Sequence, residues 1–386
     1  MKVLVAHVRY RHWGGEDRVF EDEVALLRAA GVDVATLEVA SVSASALKPA
    51  LAARIVFSRG DHAYGRTLMR EAIAHHQPDV VHLHNIYPFL GIGAMREARD
   101  AGIRVVRTYH NYRLSCIAGT HFYRGSICES CAPGRRIRGI ARGCYRGSRS
   151  QSAVMAAACD AEWQSLVDAG LPDVALCPSA FARDKLLHYG MPEDRIVLKP
   201  NSGRESDTNS HAGRSGALFV GRLSSEKGIL PFVDAWPDDG PTLTVVGDGP
   251  LLSLLKKRAS EMVDVLGWTK TTVTRNLIAR ARVLVVPSLA YEGDPLSVIE
   301  ALAEGTPVVC FDHGSLSRIG MEIASDCVVP TGDFRALATA AERVVRMSPS
   351  EWATLSARAR AVFDRSHTTE RSLATLLEVY SRLASS

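Results

Sequence analysis

Short apolar runs rich in valine, isoleucine and leucine recur along the whole chain, separated by stretches whose apolar residues repeat at helical spacing. Parallel strands covered on both faces by crossover helices read this way, so the pattern predicts an α/β fold. In the first half the runs predict strands at Val3–Val8, Val80–Leu83, Val105–Thr108, Val154–Ala157, Ala175–Pro178 and Ile196–Lys199. A helix over Glu21–Ala30 follows the first strand, closed by Gly31 as a C-cap glycine. A second series is predicted at Ala217–Val220, Leu243–Val246, Val265–Gly267, Val283–Val286, Val308–Phe311 and Val328–Val329. Between the two series, Asn201–Gly216 reads NSGRESDTNSHAGRSG, a polar stretch suited to a linker. The expectation is two doubly wound parallel-sheet domains, residues 1–200 and 214–365, with a helix over 366–386 placed to cross back onto the first. In open α/β sheets ligands bind beyond the carboxyl ends of the strands, so a site in a cleft shared by two facing sheets is expected.

Composition narrows the class. The chain has 386 residues, long for one core and comfortable for two, and its 46% hydrophobic and 23% charged content is that of a globular protein. The start, MKVLVAHVRYRHW, lacks the cleavage site of a signal peptide, and no apolar run is long enough to span a membrane. A cytoplasmic protein is expected. A formal net charge of +4, from 46 basic and 42 acidic residues, gives no reason to expect a nucleic-acid partner. The charge is uneven, however: six arginines and no acidic residue lie between Arg135 and Arg149. That segment is either a solvated loop or a docking surface for an anionic partner, such as a phosphate or a membrane face.

Three strand-to-loop junctions in the second half carry chemistry. After Val283–Val286 the chain reads PSLAYEGDPLSVIEALAEGTPVV. Here Asp294 is a plausible N-cap and Pro295 a first helical residue, which would leave the amides of Leu296 and Ser297 free for an anion. Glu292 precedes the cap and Glu300 lies one turn beyond it; taken alone, both are ordinary capping or solvated carboxylates. After Ala217–Val220, the turn VGRLSSEKG offers Arg222 and Lys227, a forked cation and a point charge suited to a diphosphate. After Leu243–Val246, the turn VGDGP contains Gly249, where backbone can come close to a ligand.

In these motifs and their order the chain resembles the family 4, or group 1, glycosyltransferases, which have the GT-B fold of two Rossmann-like domains. The spacing Glu292-x7-Glu300, the following Ala301–Val309, VGRLSSEKG and VGDGP all match that family's donor domain. The resemblance implies a nucleotide diphosphate sugar as donor, UDP- or GDP-linked, and transfer to a hydroxyl with retention of anomeric configuration, without a catalytic cofactor. It places Arg222 and Lys227 on the diphosphate, Glu300 on the ribose and Glu292 on the transferred sugar. Gly249, Pro295, Leu296 and Ser297 would line the phosphate pocket. Two places depart from the pattern: Gly293-Asp294-Pro295 stands where many members have Gly-Phe-Gly, and Asp312–Arg318 lacks the family's glutamate after its glycine loop.

In the first half, His12-Trp13-Gly14-Gly15-Glu16-Asp17 follows the first strand, and its double glycine suits either a plain turn or an anion approach. The resemblance assigns Gly14 and Gly15 to the donor phosphate. His110 falls at a strand end, where a lone histidine is more often structural; by resemblance it sits beside the transferred sugar. His82 and His84 lie at another strand end. Cys116, Cys128, Cys131 and Cys144 form C-x11-C-x2-C-x12-C inside an excursion over residues 112–150. This spacing leaves structural zinc, free thiols and disulfides open, with zinc favoured by residue type and disulfides disfavoured in a reducing compartment. Cys159, Cys177, Cys310 and Cys327 sit in apolar runs and read as core.

The resemblance implies a hydroxyl acceptor; the arginines point to an anionic or lipid-linked one, as in polysaccharide or glycoconjugate synthesis, with peripheral contact to a membrane, and a natural-product or small-molecule acceptor stays open. Two rivals stay open. One is a nucleotide-sugar epimerase on the same architecture, and the other is a zinc-braced module that binds an anionic polymer or a membrane.

Overall fold

A computed structural model describes residues 1–10, 13–40, 58, 60–205 and 213–385. His12 and the middle of the Asn201–Gly216 stretch lie outside the described residues. The chain divides into two compact units. One comprises Met1–His121, Cys128–Pro200 and Ser372–Ser386, and the other Phe122–Ile127 and Asn201–Arg371.

The first unit is built from β1 (Lys2–Val8), α1 (Gly15–Ala29), β2 (Asp33–Val39), α2 (Ala63–His76), β3 (Val80–Leu83), α3 (Gly91–Asp100) and β4 (Arg104–Thr108). After a small hairpin that belongs to the second unit, β5 (Phe122–Tyr123) and β6 (Ser126–Ile127), come α4 (Ile137–Ala141), α5 (Arg149–Ala169), β7 (Val174–Cys177), α6 (Ala180–His188) and β8 (Ile196–Leu198). The parallel sheet runs β2-β1-β3-β4-β7-β8. Strand β1 shows why: Leu4, Ala6 and Val8 enter one core cluster, Val3 and Val5 the other, so both faces are covered. Each such buried aliphatic side chain contributes about 1.5–3 kcal/mol.

The second unit contains β9 (Ala217–Val220), α7 (Ile229–Ala235), β10 (Leu243–Val246), α8 (Leu252–Arg258), β11 (Val263–Gly267), α9 (Thr271–Arg280) and β12 (Val283–Val286). It continues with α10 (Leu296–Ala303), β13 (Val308–Phe311), α11 (Gly314–Ile323), β14 (Val328–Val329), α12 (Phe334–Arg346) and α13 (Pro349–Ser366). Its parallel sheet runs β11-β10-β9-β12-β13-β14. The last helix, α14 (Thr369–Ala384), sends Leu376, Val379, Tyr380 and Leu383 into the core cluster that holds Val3 and Val5.

Two local readings of the sequence differ from the structure. Val154–Ala157 is not a strand; it lies inside α5, capped by Ser148 and closed by Gly170 at φ +60°. An apolar run of seven, Ala153–Cys159, cannot separate helix from strand by periodicity, and here alanine and methionine favour the helix. Strand β2 escaped notice because its exposed and half-buried side give only a weak alternation.

Candidate active site

In the second unit the order of the strands reverses between β9 and β12, the place where doubly wound sheets bind ligands. The loops that leave β9, β10 and β12 are locked to one another there. The Leu223 amide donates to the Asp248 carbonyl (2.9 Å), the Leu251 amide to the Leu223 carbonyl (3.0 Å), and the Leu289 amide to the Glu226 carbonyl (2.8 Å). Two glycines make this approach possible. A Cβ on Gly228, at φ +65°, would meet the Pro287 carbonyl oxygen at 1.9 Å, and one on Gly249 would meet the Leu223 oxygen at 2.4 Å.

Lys227 and Glu292, assigned above to different parts of one ligand, are brought into direct contact: Lys227 Nζ lies 2.6 Å from Glu292 Oε1. The Ser288 hydroxyl donates to the same oxygen (2.6 Å), and Ser315 Oγ donates to the Glu292 carbonyl (2.7 Å). Burial alone would raise the Glu292 carboxyl, but Lys227 and the hydrogen bonds outweigh it and hold the group below the ordinary carboxylate range. The Arg222 guanidinium is exposed and carries no hydrogen bond or ion pair to another described residue. Behind Glu292, His313 shares hydrogen bonds with Thr331 Oγ1 (3.0 Å) and the Ala290 carbonyl (3.2 Å).

The helix after β12 begins one residue later than expected. Pro295 is its N-cap, and the first ladder bonds run from Val298 (3.0 Å) and Ile299 (3.2 Å) to the Pro295 carbonyl. Leu296 and Ser297 therefore hold the amides outside the ladder, as the sequence suggested. Asp294 does not cap: its carboxylate accepts the Asn201 amide (2.8 Å), while Asn201 Nδ2 donates to the Asp294 carbonyl (2.9 Å). Proline at the helix start supplies no amide and favours extended backbone before it, so the boundary moves past it. Glu300 is buried one turn into α10.

The first unit gathers its polar groups at the ends of β1, β3 and β4, again where strand order reverses. Gly14 is the N-cap of α1, but its amide already donates to Asp17 Oδ2 (2.9 Å), so Gly15 is the glycine left open to a ligand. Asp17 also bonds His7 Nε2 (2.9 Å). His110 follows β4 and lines a small recess with Glu16, Asn85, Tyr109, Asn111 and Arg113. Its Nε2 is 2.9 Å from His84 Nδ1, and the two rings stack with centroids 5.0 Å apart. His82 is saturated by Tyr380 Oη and Thr108 Oγ1, each at 2.7 Å. Burial, and then the charges of neighbouring groups including Lys199, push the imidazoles of His82, His84 and His110 well below their ordinary value. Glu23 and Lys199 form a buried ion pair in the same cluster. No sequence signal pairs residues 176 positions apart, and neither had been singled out.

The excursion over 112–150 is held by its own chemistry. Arg136 is not a surface cation: it is buried, bonds Asp160 (2.6 Å) and donates to the Leu114 carbonyl (2.6 Å). Arg135 and Arg138 remain exposed on either side of it. No disulfide joins any of the eight cysteines. Burial, then Cys116, raises the Cys131 thiol; burial, then Cys116, Cys131 and Cys128, raises that of Cys144. Cys131 and Cys144 thus each lie within electrostatic reach of the other three clustered cysteines. Among the described residues, though, the one set of three metal-type ligand atoms within 4.8 Å belongs to Glu23, His82 and His84.

Two six-stranded parallel sheets with interleaved helices define the GT-B class of two Rossmann-like domains. Family descriptions match both halves, Glycosyltransferase Family 4 over residues 13–202 and Glycosyl transferases group 1 over residues 214–347. The chain belongs to this family. One relative, from Bacillus subtilis, bears the name teichuronic acid biosynthesis glycosyltransferase TuaC; it is 28% identical over 63% of this chain and 55% of its own length. The matches span about a third to a half of the length of the first curated relatives. Among solved structures, HepE of Anabaena in complex with UDP is similar at a TM-score of 0.67 and 15% identity, covering 99% of this chain and 100% of its own. Sucrose-phosphate synthase of Thermosynechococcus elongatus is similar at a TM-score of 0.70 and 17% identity, covering 99% and 100%. Among the described residues no helix is long and apolar enough to cross a membrane.

Proposed function

We propose that this protein transfers a sugar from a nucleotide diphosphate sugar to an acceptor hydroxyl with retention of anomeric configuration. The observation that carries the reading is the Lys227–Glu292 contact beside the free Arg222 and the start of α10, at the reversal point of the second sheet. Departure of a nucleoside diphosphate places negative charge on its leaving oxygen. Two cations and the amides of Leu296 and Ser297 would stabilise that charge without a metal. The bond from the anomeric carbon to the diphosphate oxygen breaks, and the acceptor oxygen bonds to that carbon on the same face. The acceptor proton passes to the departing phosphate oxygen. Glu300 would hold the ribose, Glu292 the sugar hydroxyls, Gly249 and Pro295 the walls of the phosphate pocket, and Gly15 and His110 the sugar side. A UDP-linked donor is the first choice, because a structurally similar protein is solved with UDP.

The test is a thermal-shift panel of UDP- and GDP-linked sugars, followed by NMR of the product formed with a hydroxyl acceptor. Donor at a hundred times its Kd should stabilise the protein by about 2.7 kcal/mol. Silence from both donor classes would sink the assignment, and an isomerised sugar formed from donor alone would replace transfer by epimerisation.

Cys116, Cys128, Cys131 and Cys144 are proposed as a structural zinc site. Four cysteines in one excursion have the right donor chemistry, and although burial opposes it, hydrogen bonds from Ser130 and then Arg142, whose Nη1 lies 3.4 Å from Cys128 Sγ, favour the Cys128 thiolate. Four thiolates would leave no open position on the metal, so such a site braces the excursion and takes no part in transfer. Metal analysis of the full chain should find about one zinc per molecule, lost in Cys131→Ser. Four thiols titrating freely in a metal-free protein would show them to be plain cysteines.

A further inference from the structure

The buried histidines of the first unit form a directional chain. Glu23 uses Oε1 for Lys199, while its Oε2 is buried without a hydrogen bond and lies 3.5 Å from His84 Nε2, itself unpartnered. His84 Nδ1 meets His110 Nε2 at 2.9 Å, and His110 Nδ1 is buried with no partner. Three unsatisfied buried polar atoms in one cluster are not expected of inert packing, because each costs free energy unless something uses it.

Proton positions follow from the donor inventory. An ionised carboxylate only accepts, so the proton facing Glu23 sits on His84 Nε2. A neutral imidazole carries one N–H, which makes His84 Nδ1 an acceptor and places a proton on His110 Nε2. His110 Nδ1 is then a bare acceptor. Charging the rings is opposed by burial, by Lys199 and Arg107, and by the packed rings of His7 and His82. Phe20 closes the cluster edge-on to His84, with centroids 5.7 Å apart. Although Glu23, His82 and His84 stand close enough to suggest a cation site, both His82 nitrogens are already bonded and Glu23 is already paired.

We propose that Glu23 and His84 are positioning residues that fix His110 as its Nε2–H tautomer, so that Nδ1 accepts a hydrogen bond from a hydroxyl of the bound sugar. His110 is thereby a reader of a hydroxyl group and not a proton donor. The role of the hydroxyl rests on the transferase reading, whereas the tautomer does not.

The experiment is a long-range proton–nitrogen NMR correlation on the full chain labelled with 15N-histidine at neutral pH, with His110 assigned from a His110→Asn sample. The expected spectrum shows Nε2–H and an unprotonated Nδ1 for both His84 and His110. An Nδ1–H or doubly protonated His110 overturns the proposal, whether or not sugar transfer is detected. In His84→Phe, His110 should populate both tautomers and kcat should fall about tenfold, with KM for the donor little changed. His84→Gln, which restores an acceptor oxygen, should recover the wild-type tautomer and most of kcat. An unaltered His110 signal in His84→Phe would also overturn the proposal; if that variant does not fold, the wild-type spectrum decides alone. The expected tautomers in a protein inactive toward every donor would sink the transferase reading and leave the chain of hydrogen bonds standing.

Discussion

Replacing Lys227 with methionine is expected to lower kcat/KM for sugar transfer by about 10²–10³-fold while leaving the second unit folded. Methionine keeps the length of the side chain and removes the charge, which in the structure lies 2.6 Å from Glu292 Oε1. The ammonium has more than one N–H to offer, so it can hold Glu292 and a phosphate oxygen together and set the distance between them. Glu292→Gln should cost a similar factor, and the double variant little more than either single one, because both changes dissolve the same unit. Acid behaviour supplies a second reading. The folded Glu292 carboxyl lies below its unfolded value, so the stability it contributes is present above that unfolded value and is lost as pH falls through the folded one. In Lys227→Met the main influence lowering that carboxyl is gone, and the acid limb of the activity profile should move to higher pH. A variant whose kcat/KM stays within about threefold of wild type would remove Lys227 from the chemistry.

How much of this was legible beforehand depended on range. Eleven of the twelve strands proposed from apolar runs are strands, because a strand buried on both faces writes its burial directly into consecutive residues. Val154–Ala157 failed because the seven apolar residues around it fit a buried helix equally well. The turns VGRLSSEKG and VGDGP were readable as loops since glycine spacing is local, but the Lys227–Glu292 contact joins residues 65 apart and needed the fold. Asp294 shows the opposite error: a residue of the right type at the right offset was given a local job, while its carboxylate serves Asn201, 93 positions away. Arg136, counted among surface charges, is consumed by Asp160 and backbone carbonyls. Charge runs reveal where cations are, not which of them are spent. Glu23 and Lys199 were the least legible, as each looks ordinary until the fold brings α1 against the ends of β3 and β8, where His84 stood out only as a strand-end histidine.

Removing Glu23 as Glu23→Leu is expected to destabilise the first unit by about 3–5 kcal/mol, and Lys199→Met by a similar amount. Both side chains are almost entirely buried, at 3% and 2% exposure, so either single change strands a charge away from water. The Lys199 ammonium would be left near imidazoles, whose ionisation its charge already opposes. The double variant Glu23→Leu with Lys199→Met should recover most of the loss, because two apolar side chains replace the pair without leaving an orphan. Denaturant-dependent hydrogen exchange over Lys2–Val8 would report the first unit by itself, and single variants each costing under about 1 kcal/mol would show that the pair is solvated in practice. The same double variant separates stability from chemistry. It restores the packing while removing the acceptor that orders His84, so a protein with near-wild-type exchange and a mixed His110 tautomer is the expected combination. Removing Lys199 also takes away a positive charge that lowers the three imidazoles, and their titration should move up toward the ordinary histidine range. Neutral buried imidazoles withdraw stability as pH falls below their unfolded value of about 6.5, so Lys199→Met alone, which keeps the Glu23 carboxylate, should lose less stability on acidification than the parent.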